Sequence, residues 1–168
     1  ATTEIHIMIR EVVDACSSMS WSRTGALIVF ERKTKMEDII KAATILDAKP
    51  TSELIKNIFF INSPLHDGAM IIRDGRILAA GCVLPLSIDE TLAKELGTRH
   101  RAGIGITEHT DAVSVIVSEE TGIISTAING QIKRKLSPES LENFLRRELS
   151  LEEVEKEKKK GIRKVREK

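Results

Sequence analysis

"NSPLHDGAMIIRDGRILAAG", residues 62–81, holds two apolar runs on either side of Asp74 and Gly75. Asp-Gly between apolar runs is a hairpin signal, because both central positions of a type I′ turn favour positive φ. The stretch therefore predicts strands over 69–73 and 76–84, paired antiparallel, and with them a sheet at the centre of the fold. Ahead of the first strand stand His66 and Asp67, then Gly68 with no side chain and Ala69 with a minimal one. That order can keep space open beside two polar groups, with Asp67 as a base and His66 as a ligand to a hard metal or water. An Asp side chain closing its own turn accounts for the same residues without any ligand.

Working outward, "GALIVF", residues 25–30, is a short continuous apolar run that reads as a buried strand. Ile5, Ile9, Val12, Val13 and Cys16 recur at helical spacing and predict an amphipathic helix over 4–17. Two further helical patterns lie at 36–46 and 52–60, the second facing inward through Leu54, Ile55, Ile58 and Phe59. Downstream, Ser87 with Glu90 three residues later has the form of a capping box and predicts a helix over 88–96 that stops at Gly97. "DAVSVIV", residues 111–117, reads as a strand, and "GIISTAINGQIKRKL" as a second hairpin turned at Asn129 and Gly130. Ser137 and Pro138 open a last helix with Leu141, Phe144, Leu145 and Leu149 on one face. The expected fold is α/β with α+β character: one globular domain over 1–150, a central mixed β-sheet containing antiparallel hairpins, and helices around it. Residues 151–168 are dense in mixed charge and poor in apolar side chains, which reads as a frayed or disordered tail.

Bulk properties narrow the function classes. A chain of 168 residues with 41% hydrophobic and 30% charged residues is long enough for one packed core. Its net charge of +1 gives no general argument for nucleic acid or a membrane surface, so any anion site must be local. Cys16 and Cys82 offer no paired metal spacing and fit a reduced cytosolic compartment. No apolar run approaches the roughly 20 residues of a membrane helix. The chain starts Ala1-Thr2-Thr3 without a methionine, which suggests an excised piece of a longer protein.

Nucleotide-binding lysine loops, the three-glycine dinucleotide turn, the serine nucleophile elbow Gly-x-Ser-x-Gly and paired-cysteine metal signatures are not found in the sequence. Two other places can carry chemistry. "GTRHRAG", residues 97–103, sets three potentially cationic side chains in a row beside Thr98, a candidate cap. If a helix starts there, its free N–H groups and the forks of Arg99 and Arg101 suit a phosphate chain. Ile104 and Ile106 alternate as in a strand, however, while Ala102 and Ile106 allow a helix, and solvated surface charge explains the run as well. "VSEETG", residues 117–122, ends an apolar strand with Ser118, Glu119 and Glu120, which could bind a metal and phosphate oxygens or form a plain surface turn. A carboxylate at a glycine, a cluster of phosphate-type donors and a second carboxylate pair suit phosphoryl or nucleotidyl transfer better than acyl transfer or redox chemistry.

"NSPLHDGAMII", "GCVLPLS", "LGTRHRAGIGITE" and "VSEETGIIS" together resemble the diadenylate cyclase domain, whose signatures Asp-Gly-Ala and Arg-His-Arg are here Asp67-Gly68-Ala69 and Arg99-His100-Arg101. The likeness runs over about 25–149 and is strongest to the bacterial type whose catalytic domain follows membrane helices. It implies condensation of two ATP into cyclic di-AMP with release of two pyrophosphates, by a homodimer whose two ATP sites face each other. It implies that Asp67 activates the ribose 3′-hydroxyl, that Gly68 and Ala69 leave room for the ribose, and that Leu84 contacts adenine. Thr98, Arg99, His100 and Arg101 would grip the phosphates, with Ser118 and Glu119 beside them. His66 and Glu120 would hold a divalent metal, Mg²⁺ or Mn²⁺ with Co²⁺ as a third candidate. Val83 departs from the pattern, standing where a tyrosine is expected. The resemblance further implies a cytoplasmic catalytic domain, no nucleic-acid partner, and anchoring to the inner face of the membrane through segments outside this chain. A non-catalytic adenine-nucleotide-binding module of the same fold is the alternative; a metal-dependent phosphohydrolase is a third reading, weakened by sparse carboxylates and histidines.

Overall fold

The computed structural model describes residues 2–166, and the side chains of residues 3–149 and 158–163. In chain order the elements are α1 (Thr2–Ser22), β1 (Ala26–Phe30), α2 (Glu37–Lys41), β2 (Thr44–Ala48), α3 (Ser52–Phe59), β3 (Ala69–Arg73), β4 (Arg76–Cys82), α4 (Thr98–His109), β5 (Val113–Val117), β6 (Ile124–Ile128), β7 (Gln131–Lys133) and α5 (Pro138–Arg166). The strands form one seven-stranded sheet in the order β2-β4-β3-β1-β5-β6-β7. β1 and β3 run parallel and the remaining neighbours antiparallel, so the sheet is mixed, as expected.

β1 and β5 are buried along their whole length because helices cover both faces of the sheet. Side chains alternate between those faces. Ile28 and Phe30 join Met8, Val12, Ile55, Leu141 and Leu145 in one core layer under α1, α3 and α5. Leu27 and Val29 point the other way, into a layer with Ile71, Ala102, Ile104 and Ile116 beneath α4.

Both hairpins turn where the sequence indicates. Asp74 and Gly75 have φ of 51° and 75°, and Asn129 and Gly130 have 52° and 76°, the left-handed pair a type I′ turn requires. α1 and α3 match their patterns, and Ser137 caps α5 by accepting the Ser140 N–H at 3.1 Å. α5 continues as helix through the charged segment to Arg166.

Two expected helices are different in the structure. The pattern at 36–46 yields one turn, α2, and then β2, an edge strand pairing Thr44 with Ala80 and Ile45 with Ala79. Left without β2, the outer side of β4 would present a row of unpaired N–H and C=O groups, and that demand overrides a helical apolar spacing. Residues 88–96 form isolated turns instead of a helix. The Ser87 hydroxyl accepts the Asp89 N–H at 3.3 Å, and the Asp89 carboxylate accepts the Thr91 N–H at 2.9 Å and hydroxyl at 2.6 Å. These side chains offer the backbone local turns in place of a helix.

Candidate functional site

The starts of β1 and β3 and the ends of β4 and β5 lie at one edge of the sheet, since Ala26 pairs with Val117 and Ala69 with Cys82. A cavity of about 650 Å³ opens there, lined among others by His66, Asp67 and Gly68 ahead of β3 and by Cys82, Val83 and Leu84 at the end of β4. Thr98, Arg99 and His100 from the start of α4, and Ser118, Glu119 and Glu120 after β5, complete its polar walls. The structure thus brings the three candidate stretches, far apart in sequence, into one pocket.

α4 resolves the helix-or-strand ambiguity at 104–106. His100 and residues 102–107 are all buried, so the helix is covered nearly all round and carries no clean apolar stripe to read. Its N-cap is Gly97, not Thr98, and no side chain caps it. The first amides of α4 are therefore available at the pocket, where the helix dipole favours an anion.

A helix also decides which of the three basic residues point inward. Neighbouring side chains diverge by about 100°, so Arg99, His100 and Arg101 cannot converge on one spot. Arg99 and His100 line the pocket; Arg101 does not, and its guanidinium lies 3.5 Å from the Asp89 carbonyl. The Ser87 N–H donates to the Arg101 carbonyl at 2.9 Å, so Arg101 holds the irregular segment that follows β4. Ala69 is fully buried and likewise not part of the wall.

Arg99 pairs with Glu119 across the cavity at 3.5 Å, and its Nε is buried without a protein partner. His100 is buried, and its Nε2 also lacks one. Burial, followed by the charges of Arg134 and Arg99 and opposed by Glu120, holds the His100 pKa below its ordinary value. The imidazole is neutral at pH 7, which leaves Arg99 and the α4 amides as the positive wall. The buried, unpartnered Arg99 Nε–H is a donor that an anionic ligand would satisfy, and His100 Nε2 would join it in the tautomer that carries its proton there.

His66 is prepared differently. Its Nδ1 lies 2.7 Å from the Ser63 carbonyl, which can only accept, so Nδ1 donates its N–H there and Nε2 is the ring nitrogen left to face a ligand. Metal-binding imidazoles are oriented by this kind of bond. Among the described residues there is no group of three or more His, Cys, Asp or Glu able to hold a metal. His66 and Glu120 can supply part of a divalent ion's shell, with oxygens of a bound phosphate or water filling the rest. The Ser118 hydroxyl accepts the Glu120 and Thr121 N–H groups, each at 3.2 Å, and keeps its own proton to donate. Cys82, whose thiol is pushed up to about 11 by burial, stays protonated and is no nucleophile at neutral pH.

Two glycines act otherwise than sequence suggests. Gly68 has φ of 117°, and a Cβ there would stand 2.9 Å from the Gly81 carbonyl carbon and 3.0 Å from the Cys82 carbonyl oxygen. Its missing side chain makes room for the backbone of β4 rather than for a ligand. Gly25 was not singled out at all, yet a Cβ on it would lie 2.5 Å from Arg99 Nη1 and 2.7 Å from Cζ. It is the seat of the Arg99 guanidinium, and only the adjacency of β1 and α4 reveals it. Val83 is 84% exposed, and Glu95, which no motif marks in the sequence, also lines the wall.

Residues 13–132 match the family model described as "DisA bacterial checkpoint controller nucleotide-binding". The chain is 49% identical over 140 residues to cyclic di-AMP synthase CdaA of Bacillus subtilis, covering 83% of this chain and 51% of that protein. It is 47% identical over 146 residues to a diadenylate cyclase of Listeria monocytogenes, covering 87% and 54%. The chain thus spans about half the length of these relatives. Among solved structures it resembles a double mutant of DacA from Staphylococcus aureus, with a TM-score of 0.82 and 46% identity over 84% of this chain and 94% of that one. A hypothetical membrane spanning protein from Bacillus cereus matches with a TM-score of 0.71 and 39% identity, over 76% and 63%.

Proposed function

Because the chain belongs to the DisA-type nucleotide-binding family, we propose that it is the catalytic domain of a diadenylate cyclase, joining two ATP into cyclic di-AMP and releasing two pyrophosphates. The observation that carries this reading is the meeting, in one pocket, of the exposed Asp67 carboxylate with Arg99 and the open N-terminus of α4. Asp67 takes the proton of a ribose 3′-hydroxyl, whose oxygen bonds to the α-phosphorus of the ATP held opposite. The bond from that phosphorus to the bridging oxygen breaks, and the electron pair leaves with pyrophosphate. Arg99, the α4 amides and a hydrogen bond from His100 stabilise the charge that builds on the leaving group. Ser118 donates to a phosphate oxygen. Leu84 and Val83 flank the base, and Arg101 acts by holding the segment that carries the pocket's outer wall. His66 and Glu120 would hold a Mg²⁺, Mn²⁺ or Co²⁺ ion, which would supply further neutralisation of phosphate charge.

Each ATP must provide both a 3′-hydroxyl and an α-phosphate, while one domain offers one pocket. Two copies therefore face each other across a two-fold axis, and the homodimer is part of the mechanism. The whole protein is anchored at the membrane, with this domain on the cytoplasmic side. The likeness to a hypothetical membrane spanning protein from Bacillus cereus supports that, and among the described residues no helix is long and apolar enough to cross a membrane. Incubation of the purified chain with ATP and Mg²⁺ or Mn²⁺, with products separated by chromatography and weighed, tests the reading. Cyclic di-AMP and pyrophosphate are expected; ATP bound but returned unchanged would make the chain a binding module.

A further inference from the structure

Glu95 is a carboxylate in the wall of a pocket built to receive phosphates, two residues ahead of the N-cap of α4. Facing a polyanion there is unfavourable for an uncompensated negative charge. The compensation comes from a residue outside the pocket wall. Arg134, which follows β7, donates from Nη1 to Glu95 Oε1 at 3.0 Å. Its side chain is 30% exposed against 62% for Glu95, and its Nε is buried with no protein partner. We propose that Arg134 is a positioning residue for ATP that works through Glu95, cancelling and holding back a carboxylate that would otherwise repel the phosphate chain.

Supporting this, the Glu95 carboxyl lies below its ordinary pKa, through its own backbone N–H and then through Arg134, so the charge needing compensation is present throughout the neutral range. The Arg134 charge also reaches His100, a buried residue of the pocket lining. The inference rests on the ATP reading above. It differs from a purely mechanical tie between the irregular segment and the β7 side, because the two make opposite predictions for Glu95.

Binding of 3′-deoxy-ATP, which lacks the attacking hydroxyl and cannot cyclise, would be measured by calorimetry on the full chain at low and high salt. Arg134→Ala should weaken binding about three- to tenfold at low salt, and the deficit should shrink as salt screens it. Glu95→Gln should bind as tightly as the parent or tighter. The double variant Arg134→Ala with Glu95→Gln should return to within about twofold of the parent, and Arg134→Lys should keep most of the affinity. If Glu95→Gln weakens binding as much as Arg134→Ala, or the double variant is no better than Arg134→Ala, the pair is a mechanical tie and the proposal is overturned. Should the parent chain itself bind no nucleotide, the ATP reading falls, and this inference with it.

Discussion

Asp67 is exposed at the mouth of β3, where it can reach a ligand without a desolvation cost of its own. Replacing it by Asn keeps shape and removes the proposed base, so ATP binding should persist while cyclic di-AMP formation drops about 10²–10⁴-fold. Near-normal turnover in Asp67→Asn would take this carboxylate out of the mechanism. Gly25 offers a sharper test of geometry. Gly25→Ala forces the Arg99 guanidinium off its seat, a cheap movement for the fold because only the end of a flexible side chain shifts. Affinity for ATP should fall severalfold while the melting temperature changes by only a degree or two, roughly the scale of a few tenths of a kcal/mol. Unchanged affinity would show that Arg99 grips phosphate from elsewhere. At this scale Asp67 was legible through its setting, beside His66 and at the head of the Asp-Gly-Ala signature that carries the resemblance. The divergence of Arg101 from Arg99 was hidden, because adjacency in sequence says nothing about direction until the backbone is known to be helical.

Elements were readable wherever local chemistry alone sets them. The two hairpins needed only their Asp-Gly and Asn-Gly turns, and α5 only its Ser-Pro start and apolar stripe. β2 was not readable, since its strand conformation answers a hydrogen-bonding demand from β4. The junction between α4 and β5 shows how such elements are tied together. The Asp111 carboxylate accepts the N–H groups of Lys33 and Thr34, each at 3.0 Å, which joins the loop after β1 to the start of β5. Burial pushes the Asp111 pKa up, but the Thr34 and Lys33 bonds and the nearby Arg32 more than reverse it, so the carboxyl lies below its ordinary value. A carboxyl depressed in the folded state stabilises above its unfolded pKa, near 4, and that contribution vanishes as pH falls through the folded value. Asp111→Asn, which keeps one acceptor, should lower stability by about 1 kcal/mol at pH 7. The gap from the parent should close below about pH 4 in denaturant titrations; a gap independent of pH would mean that the charge contributes nothing.

The molecule as a whole raises the question of assembly, because the proposed reaction needs two ATP and one domain offers one such pocket. The rate of cyclic di-AMP formation should rise more steeply than first order in protein at low concentration and become first order once dimers saturate. First-order behaviour down to high dilution would mean either a permanent dimer or a monomeric mechanism, and light scattering at the same concentrations separates them. By itself the sequence determined the mixed sheet with its two hairpins, the helices at each end of the chain, and the three stretches able to carry phosphate chemistry. These rest on turn residues, apolar periodicity and residue type, which act over a few positions. Only the tertiary structure decided that the three stretches share one pocket, that Gly68 serves β4 and Gly25 serves Arg99, and that Glu95 and Arg134 meet beside it. Each of those depends on which strand lies next to which, and strand order is settled by packing and hydrogen bonding across the whole sheet.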